Sequence, residues 1–251
     1  MPGVRAQALT GLPEVRPGDD LAALIVAAAG AGSLPDGTVL AIAHKVVSKS
    51  EGALVALADV SPGPRAVELA AAAGKDPRGV QVILDESAEL VRAERGVLIC
   101  RTRHGFVCAN AGVDASNAPD QDTLVVLPRD PDASARSLRR RLSELTGSRV
   151  GVMITDSFGR AWRHGQLDVA LGLAGLAPLD DWRGRKDSRG LVLSATWLAV
   201  ADAAAAAADL ARGKDSREPV VLLQGLGRFV TVEDGPGAAA LIRAREEDLF
   251  P

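Results

Sequence analysis

Apolar and polar positions alternate in blocks along this chain, and each block predicts an element. In "DDLAALIVAAAG", Asp19 or Asp20 can cap a helix that ends near Gly30. "GTVLAIAHKVVSKSEG" predicts a strand from Thr38 that runs out in a polar loop near Ser48. "SPGPRAVELAAAAGKDP" is a short helix between Pro and Gly punctuation. "VLIC" and "FVCA" flank a polar turn containing Gly105, a hairpin that leads into a loop carrying Asn110, Asp114 and Asn117. "DTLVVLP" is a short strand closed by Pro128. In "DASARSLRRRLSELTG", Leu138, Leu142 and Leu145 fall at helical spacing and Gly147 suits a C-cap. "RVGVMITDS" is nearly continuous in apolar character, as a strand covered on both faces would be. Glycine and charge then dominate to about Gly190, followed by an Ala-rich helix over roughly 194–212, a strand in "PVVLLQG" and an acidic amphipathic tail. This mixed order predicts an α+β fold rather than a doubly wound sheet.

The totals narrow the class. At 251 residues the chain can bury a sizeable core, as a single domain over 1–251 or as two intimate lobes. The "GRKDSRG" segment is either a lobe boundary or an active-site loop. Aromatic content of 3%, with no Tyr, and a net charge of −3 argue against a nucleic-acid surface. Cys100 and Cys108 match no metal-ligand spacing and no disulfide framework, so buried free thiols are expected. The start, "MPGVRAQALTGLPEV", lacks a basic head and an apolar stretch, and no apolar run reaches the roughly 18 residues of a membrane span. A cytoplasmic protein is the expectation.

Three segments could carry chemistry. An apolar strand ending in Asp156 can hand a carboxylate to a divalent cation beside phosphates, although many strands end in Asp to start a turn. Arg160, Arg163, His164, Arg183, Arg185, Lys186 and Arg189 follow, interspersed with Asp168, Asp180, Asp181 and Asp187. Such a run is either a solvated mixed-charge loop or a cradle for a polyanion, since the planar Arg fork binds phosphate or carboxylate in two places. "NAGVDASN" offers Asp114 and Asn117 after another strand, as an Asx-rich turn or as the second carboxylate of a hard-cation site. "HKVVSKSEG" adds Lys45 and Lys49, surface lysines or phosphate contacts; a P-loop pattern is absent.

Taken together, "GLPEVRPGDDL", "KVVSKSEG", "NAGVDASN", "ITDSFGRAWRHGQLDVALG" and "DWRGRKDSRG" resemble the coenzyme F420-0:γ-glutamyl ligase family, whose coenzyme is a deazaflavin. The blocks run in the family's order over about 11–227. The resemblance implies a two-lobed, mixed-sheet α+β ligase fold, neither P-loop nor Rossmann. It implies GTP-dependent addition of L-glutamate to the phosphorylated deazaflavin precursor and its γ-glutamyl products through an acyl phosphate. Mn²⁺ or Mg²⁺, stimulation by K⁺ and a homodimer come with it; no nucleic acid or membrane partner does.

By motif match, Asp114 and Asp156 would be catalytic metal ligands, with Ser157 on a second metal; beside such a metal, Arg160 and Arg163 read as receivers of substrate anions. Asn117, Lys49 and the backbone of Leu12, Pro13, Glu14 and Val15 would contact GTP, and the loop around Gly213 would close over it. Two departures stand out. His44 occupies a position where the family commonly has Ser. "ARGKDSREP" differs from the Met-Gly-Glu/Gln type of sequence expected there, and a protonated Lys214 cannot ligate a metal. Some members are fused to a C-terminal flavin-binding reductase, so this chain is a stand-alone enzyme or an excised N-terminal domain of a longer bifunctional one. The rival readings are a metal-dependent phosphatase or nucleotide hydrolase, and a non-catalytic GTP-binding module.

Overall fold

The computed structural model describes residues 3–30, 32, 34–116, 118 and 120–248. The chain begins with β1 (Arg5–Ala8), α1 (Leu21–Ala29), β2 (Val39–Ala43), α2 (His44–Ser50) and β3 (Leu54–Ala56). Then come α3 (Pro64–Ala73), α4 (Pro77–Asp85), β4 (Ser87–Glu94), β5 (Val97–Thr102), β6 (Val107–Ala109) and β7 (Thr123–Val125). The second half holds α5 (Pro131–Thr146), β8 (Gly151–Arg160), β9 (Arg163–Ala174), β10 (Leu179–Asp181), β11 (Trp197–Ala199), α6 (Val200–Asp209) and β12 (Val220–Gln224).

A five-stranded sheet in the order β1-β12-β2-β8-β9 forms the frame, antiparallel throughout except for the parallel pair β2–β8. Side chains of successive strand residues point to opposite faces, which divides the core in two. Leu40, Ile42, Val152 and Ile154 pack with Ile25 of α1 and Leu142 of α5. Val39, Ala41, Met153 and Leu173 pack with Ala201, Ala205 and Ala208 of α6. The continuous apolar runs are therefore strands buried on both faces, as their pattern predicts.

The helix ends follow the expected chemistry. The Asp20 carboxylate accepts the Ala23 amide at 3.0 Å to start α1, which stops at Gly30. Asp130 caps α5 and Gly147 closes it in a left-handed conformation (φ 73°). Where α5 begins it meets β9 backbone to backbone: a Cβ on Gly172 would lie 2.2 Å from the Pro131 carbonyl oxygen.

A second group of elements packs separately. Helices α3 and α4 cover the sheet β4-β5-β6 over Leu69, Val80, Ile83, Leu98 and Cys100. The pair β3–β7 closes over Leu57, Val82, Leu124 and Val126. Cys100 and Cys108 face each other across β5 and β6 as buried free thiols.

The α+β class thus holds, with three local corrections. The polar loop expected near Ser48 is helix α2, because His44, Val47, Ser48 and Lys49 are its buried positions and polar residues sit on its inward face. The glycine- and charge-rich stretch after Ser157 is mostly the long hairpin β8–β9. The Ala-rich helix is only Val200–Asp209, since 197–199 pairs as β11 with β10. Among the described residues, no helix is long and apolar enough to cross a membrane.

A polar centre at the ends of the parallel strands

Because β2 and β8 are parallel and in register at Ala43 and Thr155, both leave the apolar core at the same level. The next residue of each chain segment, His44 and Asp156, is delivered side by side. Alternation places Asp156 on the face of Val152 and Ile154, towards α2, and places Thr155 and Ser157 on the opposite face, towards the end of α6.

On the α2 face, His44 Nε2 stands 3.5 Å from Asp156 Oδ1, and His44 Nδ1 is 3.4 Å from Ser48 Oγ. Burial and then the Lys45 charge pull the His44 imidazole down to about 3, so it is neutral at pH 7 and its contact with Asp156 is not an ion pair. Its Nε2 is buried with no hydrogen-bond partner among the described residues.

Asp114 comes to this face from the turn after β6. Asn110, Ala111 and Gly112 all have positive φ there, and a Cβ on Gly112 would lie 2.8 Å from Leu127 side-chain atoms. The backbone of Asp114 then pairs both ways with Val125. Lys45 Nζ donates to Asp114 Oδ2 at 2.6 Å and to Ser116 Oγ at 2.6 Å. Burial alone would raise the Asp114 carboxyl, but hydrogen bonds from Lys45 and Ser116 outweigh it and hold the group below its ordinary value. Among the described residues, Asp156 has no directly bonded Lys or Arg. Burial pushes it up to about 7; the Ser157 amide and Lys45 oppose this, while Asp168 and Asp114 add to it.

Nearby, Lys49 Nζ donates to Glu14 Oε1 at 2.5 Å, which joins the "LPEV" segment to α2. Val15 is buried in the core cluster beneath, and Leu12 packs against it.

The opposite face is built differently. Asp168, fully buried on β9, accepts from Thr155 Oγ1 at 2.9 Å and Ser157 Oγ at 2.7 Å. Arg212 pairs with it closely and also donates to Thr155 Oγ1 and the Pro219 carbonyl. Lys214 Nζ donates to Ser157 Oγ at 2.6 Å and Asp209 Oδ1 at 2.8 Å, and lies 3.8 Å from Asp168 Oδ1.

Of the residues singled out in the sequence, Asp114, Asp156, Lys45, Lys49 and the 12–15 segment gather around α2. Ser157 sits beyond the strand with Lys214. Gly213 lies in a tight turn whose carbonyl accepts from Ser216 Oγ at 2.9 Å. Arg160 and Arg163 are at the exposed tip of the β8–β9 hairpin, where Arg160 Nη2 donates to the His164 carbonyl at 2.6 Å. At about 3.3 Å per residue, Arg160 is about 13 Å along the strand from Asp156. Asn117 lies outside the described residues. Much of the basic run is internally neutralised: Arg183 pairs with Asp181 and stacks on Trp197, and Arg185 pairs with Asp180.

Sequence reading missed Arg212, Asp209 and Thr155 as parts of the centre. One signal was present, since Asp168 interrupts the apolar strand "QLDVALGLA" and a charge there needs a buried counter-charge.

Two carboxylates on one face, one of them desolvated and without a bonded Lys or Arg among the described residues, suit a hard cation that completes its shell with water and substrate oxygens. Among the described residues, no group of three or more His, Cys, Asp or Glu side chains forms a closed metal cage. The donor set is an open one.

Fold and site define the class: an α+β protein outside the P-loop type, with an acidic, lysine-flanked centre where the parallel pairing of β2 and β8 ends. The chain belongs to the F420-0:γ-glutamyl ligase family, whose model matches residues 11–225. It is 48% identical over 252 residues to the coenzyme F420:L-glutamate ligase of Methanopyrus kandleri, covering 100% of this chain and 98% of that protein. The enzyme of the same name from Methanothermobacter thermautotrophicus is 43% identical, with 99% of each chain covered. That of Archaeoglobus fulgidus is 42% identical over 241 residues, 96% of this chain and 93% of the other.

Proposed function

We propose that this protein is a coenzyme F420:L-glutamate ligase that uses GTP and a divalent cation. The observation that carries the reading is the convergence of Asp114 and Asp156 on one face beside Lys45 and Lys49, in a chain matched over its whole length by ligases of that name.

The reaction joins anions, so its barrier is largely electrostatic and positional. The acceptor carboxylate of the deazaflavin precursor attacks the γ-phosphorus of GTP, and GDP leaves. The amine of L-glutamate then attacks the acyl phosphate, an amide forms, and inorganic phosphate departs with a proton lost from the amine. Asp114 and Asp156 would hold Mn²⁺ or Mg²⁺, which when bound neutralises phosphate charge. Lys45 and Lys49 supply cations for phosphate oxygens, the Leu12–Val15 segment borders the nucleotide, and the loop around Gly213 closes over it. Arg160 and Arg163, exposed on the hairpin, receive the phosphorylated tail of the precursor. K⁺ stimulation and a homodimer belong to the same proposal.

Protein incubated with GTP, Mn²⁺, L-glutamate and the precursor should yield products heavier by glutamate residues in mass spectrometry. Absence of any such product under conditions where a related ligase works refutes the reading. Full-rate phosphate release from GTP alone would instead identify a hydrolase. GTP binding in calorimetry with no turnover would identify a binding module.

A further inference from the structure

The two faces of β8 differ in charge balance. On the α2 side, Asp114 and Asp156 face one directly bonded Lys or Arg among the described residues, Lys45, since Lys49 is paired with Glu14. On the α6 side, Asp168 and Asp209 face two, Arg212 and Lys214. The first side is short of one positive charge and the second is balanced.

The balanced side is also spatially filled. Lys214 Nζ reaches oxygens from three separate elements: Ser157 on β8, Asp209 at the end of α6 and Asp168 on β9. Hydroxyl and carboxylate oxygens converging on one point are what a small hard cation takes, and an ammonium offers three donors to the same array. Arg212 takes Asp168 Oδ2, while Oδ1 is shared by Ser157 and Lys214.

We propose that Lys214 is a tethered cation that occupies this oxygen cage, so that the protein binds a free divalent ion on the Asp156 side of β8 alone. Ser157, expected from the family resemblance on a second metal, then serves Lys214 instead. The proposal rests on the reading of Asp114 and Asp156 as cation ligands for the total ion count, but not for the difference that Lys214 makes.

The test counts Mn²⁺ ions bound by the full chain, from the loss of the free-ion electron paramagnetic resonance signal during titration. Wild type should bind one ion and Lys214→Met two, the added ion weaker, since removal of the ammonium leaves the cage with one uncompensated carboxylate. Lys214→Glu, which adds an oxygen ligand, should bind the added ion at least about tenfold tighter than Lys214→Met, a difference of about 1.4 kcal/mol. Lys214 is two-thirds exposed, so both variants should fold, as circular dichroism would verify. An unchanged count in both variants, or two ions in wild type, overturns the proposal. Asp156→Asn in the same assay separates the two ideas: retention of the wild-type ion overturns the assignment of Asp156, whereas a gain of one ion in Lys214→Met stands regardless.

Discussion

Replacing Asp156 by Asn should make the metal-free protein more stable, and the gain should depend on pH. The Asp156 carboxyl titrates at about 7 in the folded chain against an ordinary 3.8. The folded state therefore binds more protons than the unfolded state between these values, and unfolding free energy falls as pH rises across the window. A displacement of about three pH units at about 1.4 kcal/mol each gives a loss of about 4 kcal/mol by pH 8. The side chain is only 19% exposed, so solvent screening removes little of this. Asn keeps the shape and never ionises. At 2–4 °C per kcal/mol for a chain of this size, Asp156→Asn should melt about 10 °C higher at pH 8 in EDTA. Near pH 4 the two proteins should melt together, because Asp156 is then protonated in the folded state. Added Mn²⁺ should raise the melting temperature of wild type far more than that of the variant. Equal melting temperatures at pH 8, or a gap of the same size at pH 5 and pH 8, would refute the claim that Asp156 is a desolvated, uncompensated carboxylate.

Two further outcomes follow from the buried groups. Arg212→Met leaves the fully buried Asp168 with only the more distant Lys214 ammonium as counter-charge and should cost about 3–5 kcal/mol in urea unfolding; a loss under about 1 kcal/mol would mean that Lys214, Thr155 and Ser157 suffice. Burial pushes the Cys108 thiol up to about 12, so an alkylating reagent at pH 8 should leave it unmodified in the native protein and label it quickly in guanidinium; rapid native labelling would contradict its burial opposite Cys100.

Much of the frame was legible because it obeys simple periodicity. β2, β8 and β12 are apolar runs, and the caps at Asp20 and Gly147 stand out in the sequence. Helix α4 escaped although its buried face, Val80, Val82 and Ile83, is apolar, and so did elements whose inward face is polar. Helix α2 buries His44, Ser48 and Lys49, so its pattern imitates a loop. β9 begins with exposed charged residues and buries Asp168 midway, so its first half imitates a loop as well. The acidic residues at 114 and 156 could be named from their strand-end positions, but their neighbours could not. Arg212 lies 44 positions from Asp168 and 57 from Thr155, and only the folded sheet brings them together.

One consequence of strand β8 concerns what sequence change can do here. Asp156 and Ser157 are adjacent in the chain, yet the sheet stands between their surroundings like a wall between two rooms. A single inserted or deleted residue upstream in β8 would exchange the rooms: the uncompensated carboxylate would meet Arg212 and Lys214, and a hydroxyl would be left facing α2. The irregularity where Ile154 pairs with Gly172 and Thr155 with Ala170, with Gly172 pressed against Pro131, fixes the alignment that prevents this. Substitutions on either side can therefore accumulate independently, while the length of the strand between Gly151 and Ser157 stays closed to variation.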